Sequence, residues 1–343
     1  MTGDAGVPVS LGRLSFEEAR RSPCLSCATS PCCRYLPVYH FQVANYVELD
    51  YALYLLNFRH ITLGLSAGGE WAVYFRRPCR YLGLDDGLCS LHGSPEQPSI
   101  CRHYNPYSCW YRKVLAGNAH EEFVLVDRAR LQWIADRLAF DEQRDLVAAP
   151  EWSEIVSAFA AMPVEDVEHE PEAPAANGWR PVELAPASIT ASPPAPRRYA
   201  DPAVTDPCRG CGAHCCTTLV FPTALPANAA QLDYLRFCLG FPGVELGLAD
   251  EGWSLIVHTT CRHLDAGRCG LFGQPERPVR CSHYDALRCD YKPRFGGSGL
   301  DSGGFLRAPL ERFGALAQAF AFDDNGQPLG VPSFAELQAA LAS

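Results

Sequence analysis

The chain reads as an α+β protein of two tandem homologous small domains, loop-rich, with amphipathic helices and a short β element. Three observations predict it: cysteines that recur at an offset of 180 to 184 residues, apolar residues at helical spacing in matching places, and one strand-like run per repeat. One cysteine set is Cys24, Cys27, Cys32, Cys33, Cys79, Cys89, Cys101 and Cys109. The other is Cys208, Cys211, Cys215, Cys216, Cys261, Cys269, Cys281 and Cys289. The last three of each set have 11 and 7 intervening residues in both repeats, while upstream gaps differ by one or two, as loop insertions would.

Each repeat opens on a cysteine-bearing loop. Val43 to Phe58 and Ala227 to Phe241 then show apolar residues at helical spacing, with Gly240 closing the second. Within them LDYALYLLNF at 49–58 aligns with LDYLRFCLGF at 232–241. The turn signals Gly68-Gly69 and Gly252 precede the β-rich runs Trp71 to Phe75 and Trp253 to Val257. A loop with four more cysteines follows. A helical pair then closes each copy: Leu131 to Phe140 with Glu151 to Ala161, and Phe313 to Phe322 with Phe334 to Leu341.

With 343 residues, 48% hydrophobic and 20% charged, the chain has room for two ordinary cores, and wholesale disorder is excluded. The expected division is a first cysteine-cluster domain at 1–162, a Pro/Ala-rich linker at 163–207 and a second cysteine-cluster domain at 208–343. This linker or wrapping arm contains PVEDVEHEPEAPAANG and ASPPAPRR, and Trp179, Val182 and Leu184 give it an apolar foothold for docking. The repeats either face each other across a shared cleft or sit as beads on this tether.

A net charge of -10 and a pI near 5.5 argue against nucleic acid as a partner, because phosphate neutralisation needs clustered Lys and Arg. Met1 to Arg21 carries Asp4, Arg13, Glu17 and Glu18 with no apolar core, and no later stretch approaches the roughly 18 apolar residues of a membrane span. A cytoplasmic protein without a membrane partner is the expectation.

In a reducing compartment seventeen cysteines point to metal binding or thiol chemistry, and an odd total fits full pairing poorly. Cys238 stands apart: it aligns with Leu55 on an apolar helix face and reads as a core residue. The other sixteen lie in loops beside Pro, Gly and charge, and read as metal ligands. A CxxC pair offers two thiolates from one tight turn, and a distant group completes the shell. In the adjacent pairs Cys32-Cys33 and Cys215-Cys216, extended backbone would point the two side chains apart, which suits two centres or a polynuclear cluster. His103 and His283 hold equivalent positions, as ligands, as donors to sulfur or as packing groups. Clustered thiolates add negative charge to an already acidic chain, so Arg80, Arg262, Arg112 and Lys292 read as nearby cations, donating to sulfur or solvated.

The Cys-x2-Cys then Cys-Cys pattern, CRHL at 261–264, and CGLFGQPERPVRCSHY at 269–284 with Arg277-Pro278 ahead of Cys281 resemble the bacterial CxxCxxCC cysteine-cluster family, also called YkgJ-like. The resemblance covers most of both repeats. The first repeat departs from it: four residues separate Cys27 from Cys32 where three separate Cys211 from Cys215, and Gln97 replaces the arginine. The resemblance implies a zinc- or iron-chelating domain, and one branch is similar to a flagellin lysine N-methylase that depends on an iron-sulfur cluster. No glycine-rich nucleotide loop accompanies it; Gly296-Gly297-Ser298-Gly299 is absent from the first copy and reads as a flexible loop.

The function expected is therefore a cytosolic metal-binding protein with eight cysteines per repeat on zinc or iron, the latter with an iron-sulfur cluster as one form. An iron-sulfur-dependent modifying enzyme, and a metal storage, delivery or thiol redox protein, are the other two classes. Metal ions are the partners implied, and no catalytic residue is assigned.

Overall fold

The computed structural model describes residues 30–85, 87–104, 109–115, 117–169, 211–284, 288–297, 302 and 304–342. Cys24, Cys27, Cys208 and the foothold at Trp179, Val182 and Leu184 lie outside the described residues.

The first half runs β1 (Tyr35–Gln42), α1 (Tyr46–Leu56), β2 (Ile61–Ser66), β3 (Glu70–Arg76), α2 (Ser99–His103), α3 (Trp110–Val114), β4 (Phe123–Val126), α4 (Arg128–Ala135), β5 (Ala139–Phe140), β6 (Leu146–Ala148) and α5 (Trp152–Ala160). The second runs α6 (His214–Thr217), β7 (Thr218–Thr223), α7 (Ala229–Leu239), β8 (Val244–Ala249), β9 (Gly252–His258), β10 (Leu264–Asp265), β11 (Arg268–Cys269), α8 (Val279–Ser282), α9 (Tyr291–Phe295), β12 (Leu306–Ala308), α10 (Phe313–Gln318) and α11 (Phe334–Ala342).

Both halves build a four-stranded antiparallel sheet in the same order, β1-β3-β2-β4 and β7-β9-β8-β12. The α+β class holds, and each sheet is larger than the two-stranded element expected. Pro37 interrupts the sequence pattern of β1, but the strand accommodates it at a register shift between Pro37 and Tyr39. Of the helices expected at Leu131 to Phe140 and Phe313 to Phe322, the first ends at Ala135, before β5, and the second at Gln318.

The two long helices begin where side-chain chemistry dictates. Asn45 Oδ1 accepts from Glu48 N at 3.0 Å while Glu48 reaches back to Ala44 N at 2.6 Å. Asn228 and Gln231 repeat this capping box at the start of α7, at 2.9 and 2.7 Å.

Matching glycines leave room for an aromatic ring against each sheet. A Cβ at Gly64 would stand 2.3 Å from the Phe123 ring, and one at Gly247 would stand 2.6 Å from the Phe305 ring. Gly64→Ala should therefore lower stability by about 1–2 kcal/mol through overpacking. Urea unfolding with an unchanged slope and a lower midpoint is the expected readout, and an unchanged midpoint would contradict it.

The halves are not separate beads. Leu55, Phe58 and Phe75 of the first and Phe221, Cys238, Leu239 and Phe241 of the second belong to one continuous core. Tyr39 of β1 stacks on Phe221 of β7 with ring centroids 5.6 Å apart. Backbone bonds cross in a matched way: Arg80 N donates to Gly240 O at 2.9 Å, and Arg262 N donates to Asn57 O at 2.8 Å, where Gly240 and Asn57 are aligned positions. Residues 163–169, at the start of the stretch read as a linker or wrapping arm, lie on the first half. Buried Arg130 fixes their start, donating to the carbonyls of Leu125 at 2.8 Å, Phe159 at 2.9 Å, and Met162. Asp127 Oδ2 then accepts from Glu165 N at 2.8 Å. Among the described residues, no helix is long and apolar enough to cross a membrane.

Candidate metal centre

The adjacent cysteines lie in helical turns, which corrects the expected extended backbone. Pro31–Cys33 form one 3-10 turn and Cys215-Cys216 sit in α6. Proline at the first helical position presets the first turn. Successive side chains fan out by about 120° in a 3-10 turn and about 100° in an α-helix, short of the opposition of extended backbone, so neighbouring sulfurs can approach. Cys32 and Cys33 Sγ are 3.9 Å apart, and Cys215 and Cys216 Sγ are 4.0 Å apart. Two separate centres are thus no longer required by local geometry. The residue ahead of each turn, Ser30 (φ 38°) or Ala213 (φ 55°), is left-handed, a conformation that non-glycine residues adopt at a cost.

Backbone bonds bring further thiols towards these turns in the same way in both halves. Cys79 N donates to Cys33 O, and Cys261 N donates to Cys216 O, each at 2.7 Å. Cys89 follows through a bridge to Leu82, Cys269 ends β11, and Cys101 and Cys281 are carried by α2 and α8.

The result is a set of five thiols that feel one another's charge: Cys32, Cys33, Cys79, Cys89 and Cys101. Cys215, Cys216, Cys261, Cys269 and Cys281 form the matching set. In each turn one thiol stabilises the other as thiolate: a hydrogen bond from Cys33 holds Cys32 down, and the same bond pushes Cys33 up. The bond from Cys216 lowers Cys215 to about 7, with Arg277 helping. Burial, then the neighbouring thiols, push Cys101 and Cys281 up to about 12; burial likewise pushes Cys261 up to about 11. Without a cation such a set resists multiple ionisation, so it favours a positively charged occupant.

Sulfur donors are the chemistry that zinc and iron-sulfur centres take. Among the described residues, however, no three or more His, Cys, Asp or Glu side chains converge as the ligands of one metal ion. Cys211, Cys109 and Cys289 are half-buried and outside the two sets of five. Tyr104 donates to Cys109 Sγ at 3.5 Å, and Tyr284 stands beside Cys289 at the matching position. Burial and the neighbouring thiol raise both phenols.

No family model, curated protein or solved structure matches the chain.

Arg80 and Arg262 lie close enough to Cys79 and Cys261 to favour the thiolates, while the two histidines bond locally. His103 and His283 are exposed and bond their own helices, His103 Nδ1 to Ser99 O at 3.0 Å and His283 Nδ1 to Val279 O at 3.2 Å. Arg80 pairs with Glu311 at 3.0 Å, and Arg262 donates to the Leu56 carbonyl. At Cys109 it is the backbone N of Arg112 that reaches sulfur, at 3.3 Å.

The sequence reading missed the residues that set each cysteine helix in place. Asp50 of the first half accepts from the start of α8, through Val279 N and through Arg280 N at 3.4 Å. Asp233 of the second half accepts from Ser99 N at the start of α2. Each half thus caps the cysteine helix of the other. A Cβ at Gly240 would lie 3.3 Å from Cys79 Sγ, so the end of α7 walls the first half's site. The available signal was the repeated Leu-Asp-Tyr, whose aspartate stands in an otherwise apolar stretch.

Cys238 is fully buried in the core, and burial pushes its thiol up to about 12. Cys238→Ser should cost about 1–2 kcal/mol, because a hydroxyl is dearer to bury than a thiol. Metal content per folded chain should be unchanged in that variant; its loss would contradict the division between core and cluster cysteines.

Proposed function

We propose that the protein is a metal-binding protein in which the clustered cysteines of each half chelate a soft cation, zinc or iron, the latter with an iron-sulfur cluster as one form. The reading is carried by one observation: the same turn of two adjacent cysteines, with sulfurs 3.9 or 4.0 Å apart and a third cysteine tied to it by a 2.7 Å backbone bond, recurs in both halves. In this reading Cys32, Cys33, Cys79, Cys89 and Cys101 hold the metal in the first half, with Cys24, Cys27 and Cys109 from the sequence pattern. Cys215, Cys216, Cys261, Cys269 and Cys281 hold it in the second, with Cys208, Cys211 and Cys289. A bound cation would neutralise thiolates that burial otherwise keeps protonated, and would tie loops far apart in sequence. The resemblance to the CxxCxxCC cysteine-cluster family points the same way. Cytosolic reducing conditions would keep the thiols available.

The protein's own residues prepare this chemistry. The hydrogen bond within each adjacent pair favours one thiolate, Arg277 adds positive charge in the second half, and Tyr104 donates to Cys109. Gln97 stands in place of Arg277 in the first half, so the two centres should differ in proton release on loading.

Anaerobic purification with elemental analysis and an absorption spectrum tests the reading. A colourless chain with stoichiometric zinc, or a brown chain with iron, sulfide and a charge-transfer band, supports it and names the ion. A folded chain with neither, its thiols all titratable, contradicts it.

A further inference from the structure

The two sets of thiols are built on each other's helices. Cys101 rides on α2 and Cys281 on α8, helices of five and four residues. A helix that short does not hold its shape alone in water. Both are held from across the boundary: α2 packs on α7, and α8 packs on α1. The anchors correspond, since Asp233 accepts from Ser99 N and Asp50 accepts from the aligned Val279 N. The Arg280 guanidinium adds a contact in the second half, 5.0 Å from the centre of the Tyr51 ring on α1.

The third thiol of each set is tied across the same boundary. Arg80, next to Cys79, donates its N–H to Gly240 O at the end of α7, and Arg262, next to Cys261, donates to Asn57 O at the end of α1. Cys261 also forms a β-bridge with Phe58. So α1 bears on both segments that carry Cys261 and Cys281, and α7 bears on both that carry Cys79 and Cys101. The two helices share one core, with Leu55 of α1 and Cys238 and Leu239 of α7 in the same cluster.

A cation that gathers the thiols of one half fixes two segments that grip the other half's long helix. That helix, once fixed, offers the second set its anchors, so the ordering that both sets need is shared between them. We propose that the two halves load metal cooperatively, so that chains carry both centres or neither. The inference rests on the chelation proposed above and adds its regulation. Coupling of about tenfold between the halves is expected, within the usual range for linked sites.

The test equilibrates the zinc-loaded full chain anaerobically with graded chelator, alkylates the freed thiols briefly and sorts the chains by intact mass, with peptide maps assigning the protected thiols to each half. Two independent halves would leave about half of the chains singly loaded at half saturation, and tenfold coupling lowers that share to about a quarter. Asp50→Ala combined with Asp233→Ala removes the anchors and should raise it again towards half. The first measurement uses the unaltered chain, so a variant that fails to fold leaves the test intact. A singly loaded share of half or more in the unaltered chain would overturn the coupling, and the retained zinc would leave chelation standing. Thiols that zinc leaves unprotected in both halves would overturn the coupling and, where iron is also missing from the purified chain, chelation as well.

Discussion

Cys33→Ser combined with Cys216→Ser will strip metal from both halves and unfold the cysteine loops. Each of these two thiols bonds its adjacent cysteine, and its residue's carbonyl is held by the third cysteine's backbone N–H. A structural thiolate-bound metal contributes on the order of 10 kcal/mol to folding, comparable to the whole net stability of a domain of about 5–15 kcal/mol. Loss of the metal should therefore abolish cooperative melting, and a strong chelator applied to the unaltered chain should do the same. Circular dichroism melts with parallel metal analysis decide the matter. A double variant that retains both metal and melting temperature would show that these thiols are ordinary core groups.

Asp50→Ala with Asp233→Ala should lower stability by about 2–4 kcal/mol, roughly the sum of two helix caps. The effect has a diagnostic direction. Asp233→Ala alone should expose Cys101, which belongs to the other half, to alkylation faster than Cys281; Asp50→Ala should do the reverse. Asparagine at either position keeps an acceptor and should restore most of the protection. Alkylation followed by mass spectrometry reads this out per cysteine. Exposure confined to the mutated half would contradict the crossed capping.

Much of the fold was legible because the repeat doubles every signal. The helices α1 and α7 carry both the Leu-Asp-Tyr register and an asparagine cap, and β3 and β9 carry aligned β-rich runs after turn glycines. What escaped depends on groups distant in sequence. Strand β1 hides behind Pro37, and β4 and β12 are three- or four-residue strands whose existence depends on pairing with β2 and β8. Likewise the buried carboxylate of Asp50 has meaning only beside a helix more than two hundred residues away. The adjacent cysteines were misread for a local reason: the left-handed Ser30 and Ala213 start a helical turn that cysteine spacing does not announce.

X-ray absorption at the zinc or iron edge of the anaerobically purified chain probes the proposed chelation most directly. The expected spectrum shows a shell of sulfur scatterers at about 2.3 Å, lost in the Cys33→Ser, Cys216→Ser variant and kept in Cys238→Ser. A shell of oxygen and nitrogen alone, or no bound metal in a fully folded chain, would contradict it.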